Sequence, residues 1–221
     1  MGNVLVSVIM PTYERDKEVI ERAINSIINQ TYLNWELIIV DDNKINEISK
    51  NIQSMIAEID DNRIVYVKNE KNIGSAKSRN NGIKKSKGEY ITFLDDDDEY
   101  LPLKIENQLN KMIKQNADYS ITNLDLFDEN DVIVRKRRHD YIEKENDLLV
   151  THLKHHLTGT DTFMFKKNYL IKIGMFGELD SGDEFYLMMN AINNKGKLLW
   201  IDDCYVKAYV HSDGSGLSTN K

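Results

Sequence analysis

Four consecutive aspartates, Asp95, Asp96, Asp97 and Asp98, follow directly on the apolar run EYITFL at 89–94. In extended chain Asp95 and Asp97 point the same way, about 7 Å apart. Two full charges at that distance repel by roughly 0.6–2.4 kcal/mol for effective dielectrics of 80 to 20. A cation would remove that cost. Hard carboxylate oxygens select Mg²⁺ or Mn²⁺, which often bind through one or two carboxylates plus substrate phosphates. The competing reading is a solvated acidic turn, the ordinary fate of a charge run. Asp41 and Asp42 form a second acidic pair, at the end of ELIIV (36–40). They are either caps of the next helix, for which Asp is favoured, or part of a polar-ligand site. Two acidic strand ends expected on one edge of one sheet favour a shared site.

The elements that must position these acids alternate between two patterns. VLVSVIM (4–10) is short, β-branched and closed by Pro11, which predicts a buried strand. Val19, Ile20, Ala23, Ile24, Ile27 and Ile28 then form a one-sided stripe at helical spacing. Strands follow at 36–40, 63–67 and 89–94, with helices expected over about 45–59 and 75–86. After Pro102, Ile105, Leu109, Met112 and Ile113 mark one face of a further helix. Such alternation implies a mostly parallel sheet flanked by helices, an α/β fold whose ligands bind at the carboxyl ends of the strands. The first strand–helix turn, PTYERD, has no glycine, and no G-x-x-x-x-G-K-[ST] occurs. Dinucleotide-binding and P-loop turns are thereby excluded.

The second half is less regular. Strands are expected at 117–127, 132–138, 162–166, 198–202 and 205–211, and a helix is marked by Phe185, Met188, Met189 and Ile192. Residues 139–157 resist assignment, and the Gly- and Ser-rich last ten residues are expected to be mobile. With no repeat and no linker, a single domain over 1–221 with two functional halves is expected.

Composition narrows the function classes. The 221 residues carry 29 basic and 36 acidic side chains, a net charge of −7, which argues against a general nucleic-acid binder. The single cysteine, Cys204, excludes a disulfide framework or a multi-cysteine zinc site and fits a reducing compartment. No apolar run approaches the length of a membrane span. A cytoplasmic location is therefore expected.

The blocks VSVIMPTYER, NQTYLNWELIIVDDN and NEKNIGSAKSRNNGIKKSKGEYITFLDDDDEYLP, spanning about residues 6–110, resemble family 2 glycosyltransferases of the GT-A fold. A weaker match, NYLIKIGMFGELDSGDEFYLMMNAINNKGK, resembles that family's acceptor-side region. The resemblance implies a single Rossmann-like domain, with a nucleotide-sugar-binding half at about 1–98 and an acceptor-side half at about 99–221, that moves a sugar, with inversion, from a nucleotide diphosphate donor to a hydroxyl of a glycan or lipid-linked acceptor. A UDP-sugar donor and a role in cell-surface polysaccharide synthesis are expected on the same grounds. It also assigns roles residue by residue. Pro11, Thr12, Tyr13 and Glu14 would form the turn that holds the nucleobase. Asp42 would accept from the uracil ring N–H, and Arg79 would lie near base and phosphates. Asp95 and Asp96 would contact ribose, and Asp97 would bind the Mn²⁺ or Mg²⁺ that bridges the diphosphate, with His211 as a further metal ligand. Asp183 is the first choice for the catalytic base and Glu184 the second, because the family's Glu–Asp pair is here written in reverse. That reversal keeps open a donor-binding domain without transfer activity. A GT-A-like nucleotidyltransferase would need the glycine-rich first turn that PTYERD lacks. The basic run Arg135, Lys136, Arg137 and Arg138 is either a solvated edge or a contact for an anionic membrane or lipid-diphosphate acceptor. The second use would place the enzyme peripherally at the inner face of the membrane. His155 and His156 flank the acceptor side without an assigned chemistry.

Overall fold

The computed structural model describes residues 4–143, 147–177 and 182–210. In chain order these form β1 (Val6–Thr12), α1 (Lys17–Ile28), β2 (Trp35–Asp41), α2 (Asn46–Ile59), β3 (Ile64–Lys68), α3 (Ser75–Lys85), β4 (Tyr90–Phe93), β5 (Glu99–Tyr100) and α4 (Lys104–Gln115). There follow β6 (Tyr119–Phe127), β7 (Ile133–Arg137), α5 (Leu148–His155), β8 (Met164–Lys166), α6 (Lys167–Lys172), α7 (Asp183–Asn193) and β9 (Leu198–Tyr209). One sheet runs β3-β2-β1-β4-β8-β6-β9-β5, with β7 added on β6. The strands from β3 to β4 are mutually parallel, so the carboxyl ends of β1, β2, β3 and β4 share one edge. Beyond β4 the pairing is mixed: β8 is antiparallel to β4 and β6, whereas β9 is parallel to β6.

Strands buried on both faces read as continuous apolar runs rather than alternating ones, and β1 and β2 show why. Val6, Val8 and Met10 of β1 and Leu37 and Ile39 of β2 pack with Ile20, Ala23, Ile24 and Ile27 of α1. Their neighbours Ile9, Ile38 and Val40 face the other layer, with Ala76 and Ile83 of α3 and Leu187, Met188 and Ala191 of α7. Helix α3 lies close on the sheet at Gly82, where an added Cβ would sit 2.5 Å from Ile9 Cγ2. That approach sets the position of Arg79, one turn earlier.

Four expectations need correcting. Residues 198–209 form one strand, not two, because β9 accommodates register shifts opposite Asn123 instead of breaking. The segment 139–157 holds a short 3₁₀ turn at Asp140–Glu143 and α5, whose start is capped by Asp147 accepting from Leu149 N at 2.8 Å. Ile113 is 46% exposed, so the α4 stripe ends at Met112. On α7 the buried face is Leu187, Met188 and Ala191, because Phe185 turns toward α5 and stacks on His152 at 4.2 Å. The last ten residues lie outside the described residues.

His139, between β7 and the 3₁₀ turn, is fully buried, its Nδ1 2.6 Å from the Tyr141 hydroxyl. Burial, helped by Arg137 and Arg138, pulls its pKa from the ordinary 6.5 to about 4. Above about pH 6.5 the ring is neutral in both states. As pH falls toward 4, the unfolded chain takes up a proton that the folded chain refuses. Stability is therefore lost over that window, by roughly 3 kcal/mol when complete. Denaturant titrations from pH 7 to pH 4 should show a shallower acid limb in His139→Asn than in the wild type. Parallel limbs would contradict the assignment.

Candidate active site

The turn after β1 lies at the shared strand edge. Thr12 is buried, whereas Tyr13 is 39% exposed and presents an open aromatic ring beside the strand ends. Glu14 adopts a left-handed conformation with φ 49°, and its N–H donates to Asn43 Oδ1 at 2.6 Å. That bond ties the β1 turn to the loop after β2.

The acidic pair after β2 is buried and heavily bonded. Asp41 accepts from Asn43 N at 2.8 Å, from the Tyr66 hydroxyl at 2.5 Å and from Lys68 Nζ at 3.3 Å. Burial acts to raise the Asp41 pKa, but hydrogen bonds from Ser49, Tyr66 and Asn43 outweigh it and hold the carboxyl below its usual value. Asp42 accepts from Ile73 N at 2.9 Å, Gly74 N at 2.8 Å and Asn69 Nδ2 at 2.8 Å. Its carboxylate thus holds the loop that leads into α3, rather than capping the helix that follows it in sequence. Gly74, with φ 85°, supplies the turn.

The four aspartates after β4 diverge toward three sets of partners. Asp95 accepts from Arg79 Nη2 at 2.6 Å. Asp96 and Asp97 are bridged by Arg15, through Nε at 3.0 Å and Nη2 at 2.8 Å. Burial pushes the Asp96 pKa up to about 6 even though Arg15 opposes it. Asp98 points inward, accepts from Tyr209 N at 2.9 Å and lies close to Asp161, which itself accepts from Asp95 N at 2.6 Å. Burial raises the pKa of both Asp98 and Asp161, and neighbouring carboxyls push in the same direction.

Asp183 opens α7 and accepts from Arg79 Nη1 at 3.3 Å. Arg79 is nearly buried, so one guanidinium joins the end of β4 to the start of α7. Glu184 turns away from that junction. Its carboxylate accepts from Gly159 N at 2.9 Å and from Thr160 Oγ1 at 3.1 Å, anchoring the loop before β8. The fold therefore brings Asp95, Arg79 and Asp183 together from three separate elements. Asp97 and Asp96 stand apart on Arg15, and His211 lies outside the described residues.

Sequence reasoning passed over several groups. Arg15 sits within PTYER, where nothing local marks its partners Asp96 and Asp97. Arg22 Nη2 donates to the Asp97 carbonyl at 2.6 Å. Asp161, in the Thr160–Thr162 turn, has no pattern that could have flagged it. Lys104 is fully buried at the start of α4, donates to Thr92 Oγ1 and lies 3.9 Å from the Tyr100 ring centre. Its burial drives its pKa well down, opposed by Asp161.

A divalent cation can be tested against these donors. One carboxylate oxygen each from Asp95, Asp98 and Asp161 lies within 4.8 Å of the others. An all-carboxylate set suits Mg²⁺ or Mn²⁺ and is poor for softer metals. Two buried acids this close also need a proton or a cation between them. Asp95, Asp98 and Asp161 fit such an ion, whereas Asp97 is not one of the three and its carboxylate is held by Arg15.

Comparison with known proteins bears on the chain as a whole. The family model described as glycosyl transferase family 2 matches residues 7–174. An uncharacterized glycosyltransferase of Methanocaldococcus jannaschii is 31% identical over the whole chain, which covers 76% of that protein. The Escherichia coli protein "UDP-Glc:alpha-D-GlcNAc-diphosphoundecaprenol beta-1,3-glucosyltransferase WfgD" is 36% identical over 60% of this chain, which spans 51% of that relative. The crystal structure of S. aureus TarS in complex with UDP-GlcNAc superposes with a TM-score of 0.76 at 23% identity, covering 98% of this chain and 61% of that one. Among the described residues no helix is long and apolar enough to cross a membrane.

Proposed function

The chain belongs to glycosyl transferase family 2, and from that premise we propose that it transfers a sugar, with inversion, from a UDP-sugar to a hydroxyl of a glycan or lipid-linked acceptor. A role in bacterial cell-surface polysaccharide synthesis is part of the same reading. The observation that carries it is the Arg79 bridge, which sets a nucleotide-side carboxylate, Asp95, and an acceptor-side carboxylate, Asp183, on one guanidinium.

Each residue then has a task. Tyr13, exposed at the strand edge, offers a face for the base to stack on. Asp42 shapes the loop beside it, and would accept from a ring N–H by releasing Ile73 N, which its two oxygens share. Arg15 and Arg79, which pair with the aspartates after β4, are the cations that would meet a diphosphate there. The family resemblance puts Mn²⁺ or Mg²⁺ on Asp97, which would have to exchange Arg15 for the ion, and the ion when bound would offset charge developing on the departing diphosphate. Asp183 takes the proton of the acceptor hydroxyl as it attacks. Glu184 acts through the loop that it holds.

Melting curves provide the first test. UDP should raise the melting temperature with Mn²⁺ or Mg²⁺ present and much less with chelator. At 100 times the dissociation constant the stabilisation should be about 2.7 kcal/mol. An equal shift in chelator would remove the metal from the donor site, and no UDP release from any member of a UDP-sugar panel would remove the transfer reading.

A further inference from the structure

We infer that Arg15 competes with the divalent ion for Asp97, and that the donor diphosphate settles the competition by taking Arg15 over, so that ion and nucleotide bind cooperatively. The inference deepens the proposed function, because it rests on Asp97 as the ion's ligand. Arg15 meets the acidic run as a fork, with Nε 3.0 Å from Asp96 Oδ1 and Nη2 2.8 Å from Asp97 Oδ2. The Arg15 side chain is the most open of the three, at 22% exposed against 8% for Asp96 and 14% for Asp97. Among the described residues its guanidinium has no hydrogen-bond or ion-pair partner besides these two acids.

Three observations make the Arg15 side chain the part that moves. First, the acids are fixed from behind. Arg22 Nη2 donates to the Asp97 carbonyl at 2.6 Å, Asp98 N donates to the Asp95 carbonyl at 3.1 Å, and Asp98 accepts from Tyr209 N at 2.9 Å. Second, the backbone of Arg15 is pinned on both sides. Glu14 is tied to Asn43, and Asp16 is the N-cap of α1, its carbonyl accepting from Ile20 N at 3.2 Å. Arg79, by contrast, is held by carboxylates of two separate elements and has no such freedom. Third, a guanidinium does not shed its proton, so Arg15 cannot give way to an ion by becoming neutral. With Nε still on Asp96, Nη2 can turn away from Asp97 and present its N–H groups to a phosphate, which guanidinium forks bind well. Tyr13, the face offered to the base, stands in the same turn as Arg15, which puts Arg15 on the nucleotide side. Asp96 is the pivot that keeps Arg15 in place, a positioning residue.

Mn²⁺ without nucleotide is the first probe, its bound fraction read by electron paramagnetic resonance, with Asp97→Asn giving the level bound at other carboxylates. Arg15→Gln removes the competitor and should bind Mn²⁺ at least about fivefold more tightly than the wild type, the lower end of ordinary coupling between sites. A merely structural role for Arg15 would not produce a gain, and the gain should vanish in Arg15→Gln/Asp97→Asn. UDP is the second probe. In saturating Mn²⁺ its affinity should fall at least about fivefold in Arg15→Gln, through loss of a charge-assisted bond. The factor by which UDP tightens Mn²⁺, and by linkage Mn²⁺ tightens UDP, should shrink at least about threefold. Arg15→Lys, which keeps the charge without the fork, should lie between the two and stands in if Arg15→Gln fails to fold. Unchanged or weaker Mn²⁺ binding in both variants, or an undiminished factor, would overturn the proposal while leaving the donor site intact. If Asp97→Asn binds Mn²⁺ as the wild type does even with UDP present, Asp97 does not hold the ion and both readings of it fall. Transfer is read apart from these, as UDP release from UDP-sugars.

Discussion

Asp183→Asn is expected to reduce transfer by about 10²–10⁴-fold, the usual contribution of a general base, while UDP and Mn²⁺ affinity stay close to wild type. The substitution keeps the shape of the side chain, and its amide oxygen still accepts from Arg79, so the bridge to Asp95 survives. What is lost is the capacity to take a proton and the negative charge opposite Arg79, which keeps its pair with Asp95. Glu184→Gln is the contrasting variant. Its carboxylate is already engaged by Gly159 N at 2.9 Å and Thr160 Oγ1 at 3.1 Å, and an amide can still accept one of these bonds. A modest fall, through a loosened loop, should follow. Donor binding and transfer measured on both variants decide the matter. Should Glu184→Gln lose transfer while Asp183→Asn keeps it, the base is Glu184 and the loop contact breaks during turnover. Should neither lose it, the inverting mechanism drawn here is wrong.

What was legible in the sequence followed from local physics. Strands β1, β2 and β4 announce themselves because burial on both faces demands unbroken apolar runs, and α1 because one face alone is buried. The acidic strand ends were legible for the same reason, since charges directly after a buried strand must face the sheet edge. Partner choice was not legible. Arg79 has the look of a solvated helix cation until α3 is pressed onto the sheet at Gly82 and α7 is brought across it from about a hundred residues away. Asp161 carries no local signal at all, because its role is to receive the Asp95 N–H through a contact 66 residues long in sequence. The α7 stripe differs from its periodicity for a related reason. Helical periodicity gives an apolar face but not which of two neighbours, core or α5, claims an aromatic at its margin.

The same long-range contact makes Arg79 the residue with the greatest expected cost to the fold. Its side chain is about 7% exposed and serves Asp95 at 2.6 Å and Asp183 at 3.3 Å. Burial alone would lower its pKa, yet Asp95, followed by Asp183, raises it above the ordinary arginine value, so it stays charged. Removing one partner from a buried ion pair typically costs about 3–5 kcal/mol, because the charge left behind has lost its compensation. Asp95 and Asp183 are less buried than Arg79 and can recover some hydration, which places Arg79→Met toward the lower end of that range. Arg79→Lys should fold better but cannot reach both carboxylates with one ammonium, so it should lose most of the transfer activity at nearly wild-type stability. The decisive variant is Arg79→Met combined with Asp95→Asn. If an uncompensated carboxylate is what destabilises Arg79→Met, neutralising Asp95 should restore part of the lost stability, a coupling of at least about 1 kcal/mol in a double-mutant cycle. Strict additivity in denaturant midpoints would mean that Arg79 supports the fold by packing against Phe176, 5.5 Å from its ring centre, and that the bridge joining the two halves of the site carries little energy.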